Sequence, residues 1–351
     1  MVWDKLKKNK LAVFSLALIL VFSLIGILGY LITPDSTPYS NQQYLELSTL
    51  KPGSKALFLK VENRKHVKQR NLFYKMLYGQ SPSYSLYPIY KSWEENGYRY
   101  AETFTGESPN MGDTIQFSIS KYPSNEITKT FILGTDRYGR DILSQLMIGS
   151  RVSLSVGFIA ILISLLIGIT LGALAAYYGG WVDNLILWLI NVVWSIPTIL
   201  LVIAITFALG KGFWQVFVAV GLTMWVDVAR VVRGEVYSLK EKEFVEAAKA
   251  MGFKDKRIII RHILPNLVGS ITVITASNFA TAILQEAGLS FLGIGVQPPM
   301  PSWGTMIKEN YGYIILDAAY MAIIPGLAIM LLVLAFLLLG SGLRQAMDVK
   351  N

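Results

Sequence analysis

Long uncharged apolar stretches alternate with polar segments along this chain. Six such stretches cover residues 11–32, 152–178, 184–210, 212–226, 266–285 and 318–343. An α-helix rises 1.5 Å per residue, so about 20 apolar residues cross a hydrocarbon layer of roughly 30 Å. The fourth stretch is short and ends near Asp227 and Arg230, so we expect it to reach its full length near the lipid headgroups. The pattern predicts an all-α integral membrane protein with six transmembrane helices.

A polar segment, residues 33–130, separates the first apolar stretch from the others. It is rich in Tyr, Ser and Pro and carries charges of both signs. Residues 115–120 alternate apolar and polar side chains, which is typical of a β-strand. We expect residues 33–130 to be an extracytoplasmic insert that forms a small α+β cap. Residues 1–32 before it form the cytoplasmic N-terminus and helix 1, and residues 131–351 after it form the core.

The distribution of basic residues predicts the orientation. Lysines at 5, 7, 8 and 10 precede the first stretch, which is longer than the apolar region of a signal peptide and is followed by no A-x-A site. We therefore expect an uncleaved anchor with its N-terminus in the cytoplasm. The loop 233–265 is rich in Lys and Arg, whereas the outer connections hold Lys211 and Lys308. This asymmetry predicts that both termini lie inside.

Composition excludes several kinds of site. Hydrophobic residues make up 53% of the 351 positions and charged residues 16%. Cysteine is absent and the two histidines, His66 and His262, are far apart, so we expect no disulfide, no thiolate chemistry and no bound metal. The net charge of +9 falls largely between the apolar stretches, where Lys and Arg contact lipid headgroups, so we expect a lipid partner and no nucleic acid.

Catalytic motifs are missing from the sequence. Gly210-Lys211 lacks the earlier glycine and the following Ser or Thr of a phosphate-binding loop. HExxH and GxSxG motifs are absent as well. We expect a non-catalytic chain that cannot energise transport by itself.

The cytoplasmic loop carries the most informative local pattern. Ser238 and Glu241 have the spacing of a capping box, which predicts a helix start at this point. Gly252 suits the end of that helix, and Pro265 suits the first turn of the next span.

This predicted helix has a narrow apolar stripe. Phe244, Ala248 and Met251 recur at helical spacing, while Ala247, Ala248 and Gly252 are small enough to let another backbone approach closely. Such a helix either lies on lipid or fills a groove in a protein. The slim apolar face and the Ala and Gly content favour docking into a protein.

The same segment resembles a known motif. Glu246-Ala247-Ala248-x-x-x-Gly252, ending at Leu264-Pro265, is similar to the EAA motif of ABC-importer permeases. The usual apolar residue two positions before the Leu is His262 here. Residues 133–154 and 285–303 resemble the C-type permease subunit of oligopeptide, dipeptide and nickel importers. The resemblance covers the N-terminal anchor and 131–351 but not 33–130.

The resemblance implies a type I importer permease fold in a bacterial inner membrane. The residues that would dock the ATPase are Phe244, Glu246, Ala247, Ala248, Met251, Gly252, Leu264 and Pro265. The implied partners are a B-type permease subunit, two ATPase subunits that use ATP and Mg, and an extracytoplasmic substrate-binding protein. The chain itself would bind no cofactor. The implied substrate is a short peptide, with nickel or a peptide antibiotic as alternatives.

Polar residues inside the spans are candidates for the translocation path or a gate. They are Asn191, Ser195, Pro197, Asn278, Gln285 and Glu286. Pro197 removes a backbone donor and is expected to bend its helix toward the path. Glu286 either contacts substrate or accepts a hydrogen bond from the outer loop, which Gly293, Gly295 and three nearby prolines predict to be stiff and non-helical.

Two further patterns have structural and functional interpretations. Gly168-x-x-x-Gly172 permits close approach of two helices. The charged turn Asp136, Arg137, Arg140 and Asp141 either positions the second span or docks a partner.

Two rival classes remain open from the sequence. A self-sufficient secondary transporter or channel would need inverted repeats or buried acidic residues for ion coupling. A membrane sensor with 33–130 as its ligand domain would leave five spans unexplained. Neither rival would co-purify with an ATPase.

Overall fold

The computed structural model describes residues 2–62, 70–106, 108–210 and 212–347. Lys211 and His66 lie outside the described residues. Within them, the helices are α1 Val2–Lys8, α2 Lys10–Leu28, α3 Leu72–Tyr78, α4 Ile142–Tyr178, α5 Gly180–Trp194, α6 Thr198–Leu209, α7 Phe213–Lys240, α8 Glu243–Ala250, α9 Asp255–Ile258, α10 Val268–Phe291, α11 Trp303–Asn310 and α12 Tyr320–Met347. The strands are β1 Ser54–Glu62, β2 Tyr84–Glu95, β3 Tyr98–Thr103, β4 Thr114–Ser118 and β5 Ser124–Phe131.

Five helical segments are long and apolar enough to cross a membrane. They are Lys10–Leu31, Ile142–Tyr178, Phe213–Lys240, Asp255–Phe291 and Tyr320–Met347. The predicted helical membrane protein is therefore confirmed.

The fourth predicted stretch, 212–226, is longer in the structure. Helix α7 continues to Lys240, past the charged residues that suggested its end. Val228, Val232 and Val236 are buried at one-turn intervals, so the apolar face continues after the mean hydropathy falls. The 28 residues of α7 extend about 42 Å, and the cytoplasmic loop is correspondingly shorter than 233–265.

The third predicted stretch, 184–210, is two helices instead of one kinked helix. Helices α5 and α6 meet at 92°, and Pro197 has the non-helical ψ of 124°. Proline lacks a donor and disfavours helical geometry in the residue before it, so the helix ends before Pro197. Counted as one broken span, this pair makes six crossings, which keeps both termini on the same side as predicted.

Glycine lets α4 and α7 approach closely. A Cβ on Gly168 would lie 2.5 Å from Cβ of Val228, and one on Gly172 would lie 2.5 Å from the carbonyl oxygen of Ala229. The predicted role of this glycine pair in helix packing is confirmed.

Contacts group the residues into two compact units. One comprises Met1–Ser23, Ser153–Gln297 and Leu327–Asn351, and the other comprises Leu24–Val152 and Pro298–Gly326. The second unit contains an antiparallel five-stranded sheet in the order β4-β3-β2-β1-β5. Phe58 and Leu59 of β1 are both fully buried in different clusters, so the sheet has apolar packing on both faces. The predicted small α+β insert is confirmed.

The charged turn before α4 is paired within the chain. The carboxylate of Asp136 accepts hydrogen bonds from the backbone N–H groups of Tyr138 and Arg140, both 2.9 Å, and from the Arg140 guanidinium at 2.6 Å. Arg140 also pairs with Glu309. Burial by itself would lower the pKa of Arg140. The two carboxylates raise it by a larger amount, so the pKa of Arg140 lies above its ordinary value and the guanidinium stays charged. Asp141 caps α4 by accepting a 2.8 Å hydrogen bond from the N–H of Ser144. These contacts support the interpretation that the turn positions α4.

Candidate functional site

Helix α8 is fixed to the cytoplasmic end of the spans by two small apolar residues. Val245 and Ala248 are 0% and 1% exposed. They belong to one buried cluster with Val236 of α7 and with Ile258 and Ile263 of the following segment. Close packing of this kind transmits strain, so a displacement of α8 is expected to reach the helices that it contacts.

The side of α8 next to these buried residues is open. Phe244 is 40% exposed, Met251 is 64% exposed, and Ala247 is exposed between them on the same side of the helix. Glu246 is exposed as well. We call Phe244, Ala247 and Met251 the open face.

The predicted stripe of Phe244, Ala248 and Met251 falls on one side of α8, as helical spacing requires, but its members differ in exposure. Ala248 is buried with Val245, whereas Phe244 and Met251 are exposed. Ala248 therefore lies at the border between the open face and the side that packs on the spans.

The predicted start of α8 is also wrong. Ser238 lies inside α7, and α8 begins at Glu243 after Lys242, which makes no side-chain cap. Val236 is buried and Leu239 is half-buried, so the apolar face of α7 continues past Ser238 and the helix does not end at the expected capping box.

Gly252 ends α8 as predicted. Its φ of +75° is left-handed, its N–H donates to the carbonyl of Lys249 at 2.9 Å, and the N–H of Phe253 donates to Ala248 at 3.2 Å. This is the Schellman arrangement, in which glycine avoids the strain of a side chain. A Cβ here would meet nothing within 4 Å, so the backbone conformation, and not crowding, calls for glycine.

A continuous helical run then leads from the loop into the next span. Helix α9 is followed by a π-helical turn, Ile259–Ile263, and a 3-10 turn, Leu264–Leu267, before α10 begins. Pro265 occupies the first turn of the 3-10 segment, where its missing N–H leaves no helical acceptor unsatisfied. Leu264 is half-buried and Pro265 is exposed.

Polar contacts join this cytoplasmic region to two other helices. The hydroxyl of Tyr177 on α4 donates a 2.7 Å hydrogen bond to the carboxylate of Asp255. The guanidinium of Arg233 on α7 donates two hydrogen bonds, each 2.6 Å, to the carboxylate of Asp183 on α5. Bidentate pairs of this kind fix geometry as well as charge.

The break between α5 and α6 is open to the outside of the chain. Asn191, Ser195 and Pro197 are all exposed. Non-helical backbone at membrane depth is tolerated only where it is buried in protein or lines water. A surface of this kind suits contact with a partner subunit or with water better than contact with lipid.

Charged side chains on α7 lie beside this break. The Arg230 guanidinium is 3.4 Å from the centre of the Trp194 ring at the end of α5. Asp227 and Arg230 are exposed, and neither forms an ion pair with another described residue. A charged residue costs about 3 kcal/mol at the centre of a lipid-exposed helix, so these residues also indicate a surface away from lipid. The expectation that these two residues mark the end of a span is wrong; their opposite charges one turn apart are the signal in the sequence for this surface.

The remaining path candidates are interior. Glu286 is 0% exposed, and its carboxylate accepts hydrogen bonds from Ser153 at 3.2 Å and from Ser290 at 2.7 Å. The Ser290 hydroxyl in turn accepts one from the N–H of Val296 at 3.2 Å. Glu286 therefore connects α4 to the irregular turn after α10. Asn278 is 5% exposed and Gln285 is half-buried.

Known proteins match most of the chain. Residues 168–349 match the family described as binding-protein-dependent transport system inner membrane component, and residues 1–52 match the N-terminal transmembrane domain of oligopeptide transport permease C. A glutathione transport system permease protein of Pectobacterium atrosepticum is 46% identical over 218 residues, 62% of this chain and 72% of the relative. A dipeptide transport system permease protein of Alkalihalophilus pseudofirmus is 45% identical over 217 residues, 62% of this chain and 71% of the relative.

A chain of the inward-facing MetNI methionine ABC transporter is similar among solved structures. The TM-score is 0.48 at 21% identity, and the match covers 60% of this chain and 98% of that chain.

The structure has multiple spans, a cytoplasmic helix fixed to them and a broken span with exposed polar residues. These features are typical of a membrane transport subunit. The chain belongs to the family of binding-protein-dependent transport system inner membrane components. The predicted resemblance to C-type permeases of peptide importers is confirmed. The chain is thus a multi-pass inner-membrane permease subunit of an ABC importer. It functions with a second permease, a substrate-binding protein and separate ATPase subunits, which hydrolyse the ATP.

Proposed function

We propose that this chain forms half of a translocation path for short peptides and that α8 transmits ATPase motion to it. The observation that carries the proposal is the open face of α8 on a helix that Val245 and Ala248 hold against the spans. Relatives at 45–46% identity are named for dipeptide and glutathione transport, which supports a short peptide as substrate. Nickel or a peptide antibiotic is the alternative substrate.

Docking involves the residues of the EAA-like segment in different ways. Phe244, Ala247 and Met251 enter a groove of the ATPase, and Glu246 lies at its rim. Ala248 acts from inside by holding α8 to the spans, and Gly252 sets the direction of the chain after the helix. Leu264 and Pro265 connect the loop to α10, so displacement of α8 reaches that span.

The full complex combines this chain with a B-type permease as a heterodimer. Two ATPase subunits bind ATP and Mg beneath the pair, and an extracytoplasmic binding protein delivers the peptide. Each state must interact differently with nucleotide and with substrate for directional movement. Residues 1–32 act as cytoplasmic N-terminus and anchor, 33–130 as the extracytoplasmic insert, and 131–351 as the permease core.

The path runs along the exposed side of the broken span. Asn191, Ser195 and Pro197 offer polar groups there, together with Asp227 and Arg230 of α7. The other three candidates do not line the path but support the helices that do, because their side chains are buried or half-buried. They are Asn278, Gln285 and Glu286. Glu286 in particular holds the turn after α10 and does not touch the substrate.

Co-purification tests the docking claim. Ala247→Trp enlarges the open face without touching the buried cluster, so we expect ATPase capture by the tagged permease pair to be lost while membrane insertion is retained. Gly252→Trp is less suitable, because the positive φ at that position adds backbone strain. Arg344→Trp, at an exposed site on α12, is the matched control. Undiminished ATPase capture by Ala247→Trp would contradict the proposal.

A further inference from the structure

The short helix α3 of the insert is strongly one-sided. At 100° per residue, Leu72, Phe73, Met76 and Leu77 fall within a sector of about 140°. Tyr74, Lys75 and Tyr78 occupy the rest of the circumference. We call Leu72, Phe73, Met76 and Leu77 the apolar side of α3.

The apolar side is uncovered. Leu72 is 71% exposed, Phe73 is 65% exposed and Leu77 is 37% exposed. Two large apolar residues of a seven-residue helix are thus mostly exposed and a third is partly exposed, counted over the residues that the structure describes. Such a concentration on one small element indicates an apolar neighbour outside the chain.

A single arginine fixes α3 to the outer end of the first span. The Arg151 guanidinium donates hydrogen bonds to the carbonyl oxygens of Met76 and Leu77, 2.8 and 2.7 Å long, at the C-terminal end of α3. It also donates a 2.8 Å hydrogen bond to the carbonyl of Gly26. The same side chain therefore satisfies the last carbonyls of both helices and holds α3 beside the point where α2 ends.

The first span continues this apolar surface. Only 22% of its most apolar stretch is buried within the chain, the lowest share of the five spans. Leu24 and Ile27, in the last turns of α2, are 55% and 58% exposed. Such an exposed apolar surface on a span is suited to contact with lipid, and α3 lies directly at its outer end.

We propose that α3 lies in the outer leaflet of the bilayer, with its apolar side at the boundary between headgroups and acyl chains. Two observations favour lipid over a protein partner. The tilted rings of Tyr74 and Tyr78 contact each other with their centres 4.9 Å apart, and tyrosine is enriched at the membrane interface. Arg70 lies 4.2 Å from the Tyr74 ring, which places a cation at the level of lipid phosphates.

The consequence is a second attachment for the insert. The insert 33–130 is joined to spans at both of its ends. Through its contact with the bilayer, α3 holds the sheet at a defined height and rotation above the membrane surface. The insert then presents one constant surface to soluble partners, which a freely tumbling cap would not.

The absence of cysteine in the chain makes the test direct. A single cysteine replaces Phe73 in the full chain, the complex is placed in nanodiscs of phosphatidylethanolamine and phosphatidylglycerol, and a nitroxide label is attached after any partner cysteines have been removed. Collision rates with oxygen, which concentrates in lipid, are compared with those of a water-soluble nickel chelate. Leu24→Cys serves as the lipid reference, and Tyr98→Cys, at an exposed residue of β3, serves as the water reference.

We expect the label at 73 to collide several-fold more with oxygen than with nickel, as at 24, while a label at Lys75 favours nickel. A preference for nickel at 73, as at 98, would place α3 in water and overturn the proposal. Protection of 73 from both reagents would show that a protein covers the helix and would overturn it as well. A label at Leu72 repeats the test without removing Phe73.

Discussion

The hydroxyl of Tyr177 and the carboxylate of Asp255 form a 2.7 Å hydrogen bond across the cytoplasmic end of the spans. Tyr177 lies in the last turn of the long helix α4, and Asp255 begins the run that leads into α10. Helix α8 precedes Asp255 by only a few residues, so the bond gives its displacement a direct route into α4.

Tyr177→Phe removes this bond and keeps the ring. The lost hydrogen bond is worth about 1 kcal/mol, so a smaller part of the displacement of α8 should be transmitted to α4. We expect ATP hydrolysis by the reconstituted complex to continue while the number of peptides transported per ATP falls. Tyr178→Phe, at an exposed neighbouring ring, is the control. An unchanged transport-to-ATP ratio would show that the bond takes no part in coupling.

The ion pair between Arg233 and Asp183 should stabilise the contact between α7 and α5. Its side chains are 27% and 16% exposed, so solvent screens the pair only in part. We expect the double variant Arg233→Ala and Asp183→Ala to lose less stability than the sum of the single variants, with a coupling free energy of about 1–2 kcal/mol. Thermal unfolding of the purified complex measures it. Strict additivity would mean that the pair contributes nothing.

Arg230 should face the aqueous path. We expect Arg230→Cys to react with a water-soluble thiol reagent, and the rate to change when nucleotide is added to the complex. Phe158→Cys is the comparison, because Phe158 is an exposed apolar residue of α4. Equal and slow reaction at both positions would assign Arg230 to a closed protein interface instead of the path.

Glu286 should affect transport by holding the turn after α10 in place and not by contacting the substrate. Glu286→Gln keeps one acceptor oxygen and turns the other into an NH2 group, which can donate to a serine hydroxyl instead, so we expect transport close to normal. Glu286→Leu removes both hydrogen bonds and should lower transport of all peptides equally. Initial rates for acidic, neutral and basic dipeptides make the comparison. A selective change for one charge class in Glu286→Gln would reveal direct contact with the peptide.

The sequence predicted the spans well because lipid demands long apolar helices. It placed the end of α7 too early, since charges after residue 226 lowered the hydropathy while Val228, Val232 and Val236 continued the buried face. Pro197 correctly marked a disturbance in the third stretch. The angle of 92° depends on packing of α6 against α7 and has no local determinant in the sequence.

The cytoplasmic helix shows the same limit at the level of single residues. Its end at Gly252 could be predicted, because a left-handed backbone favours glycine locally. Its buried side could not, because Val245 and Phe244 are both apolar. The difference between them comes from Val236 and Ile258, which are close to α8 only in the folded chain.

Labelling of Ala247→Cys tests the central claim, that the open face of α8 is seated in the ATPase. Inside-out vesicles that contain the permease pair are treated with a membrane-impermeant maleimide before and after the ATPase subunits are added back, and Arg344→Cys reports general access. We predict rapid labelling of position 247 without ATPase and strong protection with it, while position 344 stays reactive. Equal labelling of position 247 with the ATPase bound and transport restored would contradict the account.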